Sequence, residues 1–204
     1  MVKTKIIKVK GDWEEVATDC RATVSKPPLG KEPSDKFKRE MLVCEHSPIR
    51  DISIKWKWTG IPHWVGVHWV RHKWECFVAT QRTDRTGVLR DKLPQDTPQD
   101  FTGEANTQHL IDTQRKRLCY QASSETREQA EDLKTTISNE VDEHIGWAMV
   151  PNCIYRGGCP EMKCCGYYYE LLKLNSDIAS SNIQKRYDAY NQLFPIVRKE
   201  PVKE

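Results

Sequence analysis

Trp69-Val-Arg-His-Lys-Trp-Glu-Cys-Phe-Val-Ala-Thr-Gln-Arg82 sets three consecutive basic side chains, Arg71, His72 and Lys73, and a fourth, Arg82, in a stretch that holds one acid, Glu75. The cluster follows Val65, Val67, Trp69 and Val70 and precedes Phe77 and Val78. It therefore lies between apolar segments expected to pack, rather than on a solvated polar face. A guanidinium held against a core needs an anionic partner, because burying an unpaired charge is costly. Phosphate meets that need, and arginine suits it through its planar, bidentate fork. The stretch predicts an anion site.

Composition narrows the class of anion. The 204 residues are 38% hydrophobic, enough for one substantial core, and 32 basic against 29 acidic side chains leave a formal charge of only +3. That balance argues against a polymeric nucleic acid and for a small ligand. The chain has no apolar run long enough to cross a membrane, and Met-Val-Lys-Thr-Lys-Ile-Ile-Lys at its start lacks the apolar centre of an export signal. A soluble, cytoplasmic protein is expected. Without an export signal, the eight cysteines, at 20, 44, 76, 119, 153, 159, 164 and 165, are expected as reduced thiols.

Metal binding is weighed next. His68, His72 and Cys76 recur every four residues, which on a helix would put three possible zinc ligands on one face. The tail cysteines lack paired Cys-x2-Cys spacing. No metal ligand is assigned.

Along the chain, residues 1–10 alternate as a strand, 12–25 hold a short helix, and 26–35 form a Pro/Gly-rich loop. Ile52, Ile54, Trp56 and Trp58 alternate with polar residues and give the clearest strand. Pro62 can open a helix carrying Val65, Trp69 and His72, although Val65, Val67 and Trp69 also fit a strand. Residues 83–103, rich in Pro, Gly and Asp, read as loop. Leu110, Ile111, Leu118, Ala130, Leu133 and Ile137 mark one or two amphipathic helices over 105–143, broken near Ser123-Ser124. A turn-rich stretch, 151–160, precedes a helix over 177–193, and no internal repeat occurs. One domain over 1–204 is expected.

Helical geometry links the second half to the first. Asn106 and Arg117 stand eleven residues apart, which returns to within roughly 20° of one face, about 16 Å along the axis. Thr113 shares that face. Arg115 and Lys116 are expected to point away, by about 200° and 100°.

Four motifs, in this order, resemble those of the flavin-dependent thymidylate synthases. Glu45-His-Ser47-Pro48 resembles that family's His-x-Ser/Thr-Pro turn. Arg71-His-Lys73, followed by Thr80-Gln-Arg82, resembles Arg-His-Arg followed by Ser-x-Arg, with Lys73 in the third basic position and a spacer one residue shorter. Arg90-Asp-Lys-Leu-Pro94 resembles Ala-Arg-x2-Leu-Pro. Asn106-Thr-Gln-His-Leu-Ile-Asp112-Thr-Gln-Arg-Lys-Arg117, with Ala122 to Glu125, resembles Asn-x-Arg-x3-Asn-x4-Arg followed by Ala-Gln-x-Glu, with Gln108 for Arg and Asp112 for Asn. The tail after Pro151 is similar to that of short, phage-borne members.

The resemblance implies an α+β domain, a mostly antiparallel sheet packed against several helices, and favours the helix after Pro62. It implies FAD held by Ser47, Arg71, His72, Lys73, Asn106, Gln108 and Asp112. A dUMP-like pyrimidine nucleotide would be bound by His68, Thr80, Arg82, Arg90 and Arg117, with Arg117 also catalytic. The implied reaction is C5 methylation of dUMP to dTMP with methylenetetrahydrofolate and NADPH, in a homotetramer with shared sites. Cys76 shows no activated-thiol surroundings beyond His72, which fits a flavin route better than a cysteine nucleophile. Three other readings stay open. They are a nucleotide hydroxymethylase or dCMP-modifying enzyme on the same scaffold, suggested by His68 and Asp112, a non-catalytic nucleotide-binding protein, suggested by Gln108, and a zinc-stabilised module.

Overall fold

A computed structural model describes residues 3–195. Its centre is a four-stranded sheet in the order β1-β2-β4-β3, formed by β1 (Lys5–Lys10), β2 (Ser53–Pro62), β3 (Glu75–Val78) and β4 (Pro98–Asn106), with every pairing antiparallel. The expected α+β class, with an antiparallel sheet against helices, is the one observed.

The sheet is two-faced, and its sequence shows why. In β2, Ile54, Trp56 and Trp58 are fully buried, while Ser53, Lys55 and Lys57 on the other face remain partly exposed. In β4, Gln99, Phe101, Gly103 and Ala105 face the core, and Thr102 and Glu104 face outward. Lys57 pairs with Asp100 at 2.6 Å across the outer face, and Lys10 and Lys55 converge on Glu104. Half-buried antiparallel strands show this alternation. Gly103 stands opposite Trp56, and a Cβ there would collide with the indole. A missing side chain thus makes room for a core tryptophan.

The helices are α1 (Trp13–Ala22), α2 (Asp35–Cys44), α3 (His63–Trp69), α4 (Thr83–Thr86), α5 (Thr107–Arg117), α6 (Ser124–Glu140), α7 (Glu143–Ala148), α8 (Asn152–Arg156), α9 (Tyr167–Leu174) and α10 (Ile183–Leu193). Six of them start on a side-chain oxygen that accepts a backbone N–H: Asp12 for α1, Ser34 for α2, Asn106 for α5, Ser123 for α6, Asp142 for α7 and Asn182 for α10. The break near Ser123-Ser124 falls where expected, because Ser123 caps the second helix. Ala130, Leu133 and Ile137 of α6 and Leu110 and Ile111 of α5 then enter one core with the sheet tryptophans.

Several expectations are corrected. The strand at the N-terminus is confined to 5–10 among the described residues. It is an edge strand whose alternation is interrupted by an irregularity between Ile6 and Lys8, leaving Ile7 and Val9 exposed. Residues 83–103 are not all loop, since β4 begins at Pro98 and α4 lies inside the span. The helix expected over 177–193 is split into a 3-10 turn, Ser176–Ala179, and α10, because Asn182 caps a new start. The turn-rich stretch at 151–160 holds a short helix, α8, closed by Gly157 at φ +70°. Among the described residues no helix is long and apolar enough to cross a membrane.

Candidate active site

The basic cluster is displayed on a turn. α3 does end in the predicted region, but it stops at Trp69. The Trp74 indole N–H donates to the Trp69 carbonyl at 2.8 Å, and the His72 amide donates to the same carbonyl at 3.3 Å. Those bonds occupy a carbonyl that would otherwise continue the helix, so the cluster leaves it before β3 begins, with Arg71 and Lys73 exposed and His72 half-buried. This corrects the helical alignment of His68, His72 and Cys76, because Cys76 lies in β3.

Aromatic packing fixes the base of the turn. Trp69 and Trp74 stack with centroids 5.5 Å apart, Trp58 lies 4.9 Å from Trp69, and His72 sits 5.2 Å from Trp74. Trp69 also donates its indole N–H to Gln129 of α6 at 2.8 Å. The site is thus mounted on the buried face of the sheet, and its backbone cannot shift without disturbing the tryptophan cluster.

Arg117, the last residue of α5, reaches this turn. Its Nε donates to His72 Nε2 and its Nη2 donates to the His68 carbonyl, each at 2.7 Å. Burial pushes the His72 pKa down to about 4, helped by Arg117 and Lys116, so the imidazole is neutral and free to accept. Burial, with Arg71 nearby, lowers the Arg117 pKa, though a guanidinium starts so high that it stays charged. His68 is held by a 2.8 Å contact between Nδ1 and Thr126 Oγ1, and its pKa is lowered chiefly by burial, then by Arg117 and Arg71. Ser123, which caps α6, donates to that same Thr126 hydroxyl at 2.9 Å.

Two adjoining clefts open beside the turn. One, of about 230 Å³, is lined by Arg71, His72, Lys73, His109, Asp112, Thr113 and Lys116. The other, of about 550 Å³, shares Lys73 and His109 and adds Trp74, Asn106, Lys10 and Glu104. Asn106 caps α5 by accepting the His109 N–H at 2.9 Å, which orients the first turn of that helix along both clefts. In the smaller cleft Arg71, Lys73 and Lys116 face one carboxylate, Asp112, so its field is positive. Two further hollows, of about 470 Å³ beside Leu29 and Phe37 and about 590 Å³ beside Glu15 and Asp51, contain none of the residues expected to bind a ligand.

The structure therefore brings together Arg71, His72, Lys73, Asn106, Asp112, His68 and Arg117. It turns Gln108 elsewhere. The buried Gln108 amide donates to Glu45 at 2.7 Å and to Asp112 at 3.2 Å, and it lines neither cleft. Ser47 is exposed at the start of a 3-10 turn, Ser47–Asp51, and also lines neither cleft. Thr80, Arg82 and Arg90 lie exposed on the connection between β3 and β4. There Arg82 forms a bidentate pair with Asp84, at 3.0 and 2.7 Å, and its amide donates to Thr80 Oγ1 at 3.2 Å.

Arg115 is a correction as well. It does point away from Arg117, but into the protein: it pairs with both oxygens of Glu45, donates to Asp112 at 3.1 Å and stacks 3.6 Å above Tyr155. The pKa of Glu45 is lowered, because bonds from Arg115 and Gln108 outweigh the larger effect of burial, which acts the other way. His109 and Lys116, which line the clefts, were missed in the sequence. The signal for His109 was its position three residues after the helix cap, where the first turn faces whatever the cap faces.

No family model matches the chain, and no curated protein does either. Solved structures do. A flavin-dependent thymidylate synthase, ThyX, from Helicobacter pylori with FAD and dUMP is 9% identical and superposes with a TM-score of 0.60, over 73% of this chain and 99% of that one. A UMP/dUMP methylase, PolB, from Streptomyces cacaoi bound with 5-Br dUMP is 13% identical with a TM-score of 0.59, over 72% of this chain and 94% of that one. The architecture is thus the flavin-dependent thymidylate synthase fold. At these identities the likeness is one of fold.

Proposed function

We propose that the protein is a flavin-dependent enzyme that methylates C5 of dUMP to give dTMP, with methylenetetrahydrofolate as one-carbon donor and NADPH as reductant. The observation that carries this reading is the Arg117–His72 contact, whose imidazole lines a positively charged cleft, on a fold that two solved nucleotide-modifying enzymes share.

The donor set fits an anionic dinucleotide. Arg71, Lys73 and Lys116 supply positive charge, His109 and Asn106 supply polar groups, and Trp74 supplies a flat apolar wall. Arg71, His72, Lys73 and Asn106 would hold FAD, with Asp112 at the edge and Ser47 approaching from the 3-10 turn. Gln108 would act by holding Asp112 and Glu45 in place. Bound and reduced, FAD would supply hydride.

Arg117 would donate to a uracil carbonyl as negative charge develops there, a role in which one well-placed donor contributes about 3 to 4 kcal/mol. Its bonds to His72 and His68 leave other N–H groups for the ligand and fix the plane of the fork. His68, neutral and held on Thr126, would line the nucleotide pocket.

Thr80, Arg82 and Arg90 would bind the 5′-phosphate from a second subunit, since both arginines are exposed and outside the clefts of their own chain. Phe77, Val88 and Leu89, at 62%, 48% and 50% exposure, surround these residues in sequence and would be covered in a homotetramer. The single-domain organisation and a cytoplasmic setting belong to the same proposal.

Asp112 favours a second reading, action on dCMP or transfer of a hydroxymethyl group, because a carboxylate in the cleft can accept from the exocyclic amine of cytosine. Binding of dUMP and dCMP compared side by side separates the two. For the cofactor, wild-type protein should purify yellow and release FAD on heating, whereas Arg71→Ala should be colourless. Full flavin occupancy in Arg71→Ala would remove the basic turn from the cofactor site.

A further inference from the structure

The two clefts beside the turn differ in charge. In the smaller, Arg71, Lys73 and Lys116 face Asp112, whereas in the larger Lys10 and Lys73 are balanced by Glu75 and Glu104. Lys73 and His109 line both clefts and so mark their junction. A flavin dinucleotide is divided in the same way, with an anionic diphosphate between two uncharged ends. His72, which lines the smaller cleft and accepts from Arg117, marks the reacting end. The larger cleft is left for the end that does not react, adenosine.

Strand register builds the floor of that cleft from the outer face of the sheet. Lys10 stands opposite Ser53, and Ser53 opposite Asn106, a row across β1, β2 and β4 that ends on the cap of α5. In the next outward row Glu104 stands between Lys55 on β2 and Glu75 on β3. Two carboxylates opposite each other repel. Lys10 and Lys55 offset this by meeting one Glu104 oxygen each, Lys55 at 3.4 Å. The bond from Lys10 holds the Glu104 pKa below its ordinary value, so the group is ionised.

Glu104 differs from the other acid paired on this face. Asp100 meets Lys57 alone, lies outside the cleft and has a side chain 42% exposed, while the Glu104 side chain is 16% exposed and carries two lysines. An ionised carboxylate offers about four acceptor sites on its two oxygens, so one lysine on each leaves both able to accept again. Two adjacent acceptors with no donor suit a vicinal diol, and acidic side chains take ribose hydroxyls in this way in dinucleotide sites. The Ser53 hydroxyl and the Trp74 ring line the same cleft, one polar and one flat.

We propose that Glu104 is a specificity-determining carboxylate that accepts the 2′- and 3′-hydroxyls of the adenosine half of FAD, with Lys10 and Lys55 holding it in place. The proposal rests on the flavin reading above and extends it to residues outside the four motifs. It makes the free ribose diol part of what the protein recognises, and it gives FAD an advantage over FMN, which has no adenosine.

The test is competition for the full chain, equilibrated with FAD and a second flavin, with the retained flavins quantified after gel filtration. The competitors are FAD carrying 2′,3′-dideoxyadenosine and, separately, FMN. Wild-type protein should prefer FAD to the dideoxy analogue about tenfold, the loss expected for hydrogen bonds to a charged group. Glu104→Gln should retain FAD and the analogue equally, and its preference for FAD over FMN should fall by a similar factor. A merely structural role for Glu104 would not abolish discrimination between two ligands that differ only in the diol. Should Glu104→Gln fail to fold, the wild-type comparison decides alone. Flavin retained by wild-type protein without discrimination against the analogue, or discrimination kept in Glu104→Gln, would overturn this proposal and leave the flavin reading standing. Wild-type protein that retains no flavin would overturn both.

Discussion

The Nε–H of Arg117 donates to Nε2 of His72 over 2.7 Å, a bond that needs the imidazole neutral and the guanidinium plane fixed. It joins the end of α5 to the turn after α3. Arg117→Lys keeps the charge but loses the fork, so turnover should fall about a hundredfold while bound flavin is unchanged. Single-turnover oxidation of reduced flavin on adding dUMP measures it. An unchanged rate would return Arg117 to a structural role.

Arg115→Lys should act on stability instead. Its side chain is 11% exposed and satisfies Glu45, Asp112 and the Tyr155 ring together. An ammonium keeps the charge but cannot reproduce the bidentate contact and the stack, so a loss of about 2 kcal/mol is expected, within the range for hydrogen bonds to charged groups. Urea denaturation of the variant should show the lower midpoint, and an identical midpoint would contradict the network.

The His72 bond also predicts a pH dependence. The folded pKa, about 4, lies below the ordinary value of 6.5, so between them the unfolded chain binds more protons. Stability carried by neutral His72 is complete above pH 6.5 and is lost as pH falls through 4. Arg117 and Lys116 face the ring, and both oppose its protonation. The melting temperature of His72→Gln should fall less steeply over this interval than that of wild type, and parallel curves would refute the assignment.

Lys134 has the same sign in a higher window. Buried, it donates to the Gly146 carbonyl at 2.5 Å and to Asn191 at 2.7 Å, and burial lowers its pKa from 10.5 to about 7. Above pH 7 the unfolded chain holds the extra proton, so stability rises with pH. The window closes as Cys and Tyr groups with raised pKa begin to oppose it. Melting curves from pH 7 to about 8.5 should rise in wild type and flatten in Lys134→Met, and equal slopes would rule Lys134 out.

What the sequence disclosed depended on how local each signal was. The Asn106 to Arg117 helix was legible because its cap and its last arginine stand one helical repeat apart, and the Ser123 cap marked the next start. β4 was hidden because its buried face, Gln99, Phe101, Gly103 and Ala105, holds one large apolar residue among turn-forming neighbours. β3 has four residues and a charged first position. α2 carries Phe37, Met41, Leu42 and Cys44 at helical spacing, a signal partly masked by the charged residues Asp35, Lys36, Lys38, Arg39 and Glu40 between them. The end of α3 depended on an indole from Trp74 reaching back to Trp69, a contact that spacing alone does not encode. For the same reason the Arg115–Glu45 pair, seventy residues apart, could not be read before the fold was known.

The most direct measurement supplies purified protein with FAD, NADPH, methylenetetrahydrofolate and dUMP, and follows the nucleotide by mass spectrometry. The account predicts a gain of one methyl group at C5, abolished when FAD or the folate is omitted and reduced about a hundredfold by Arg117→Lys. Unchanged dUMP in the complete mixture, with FAD shown to be bound, would contradict it.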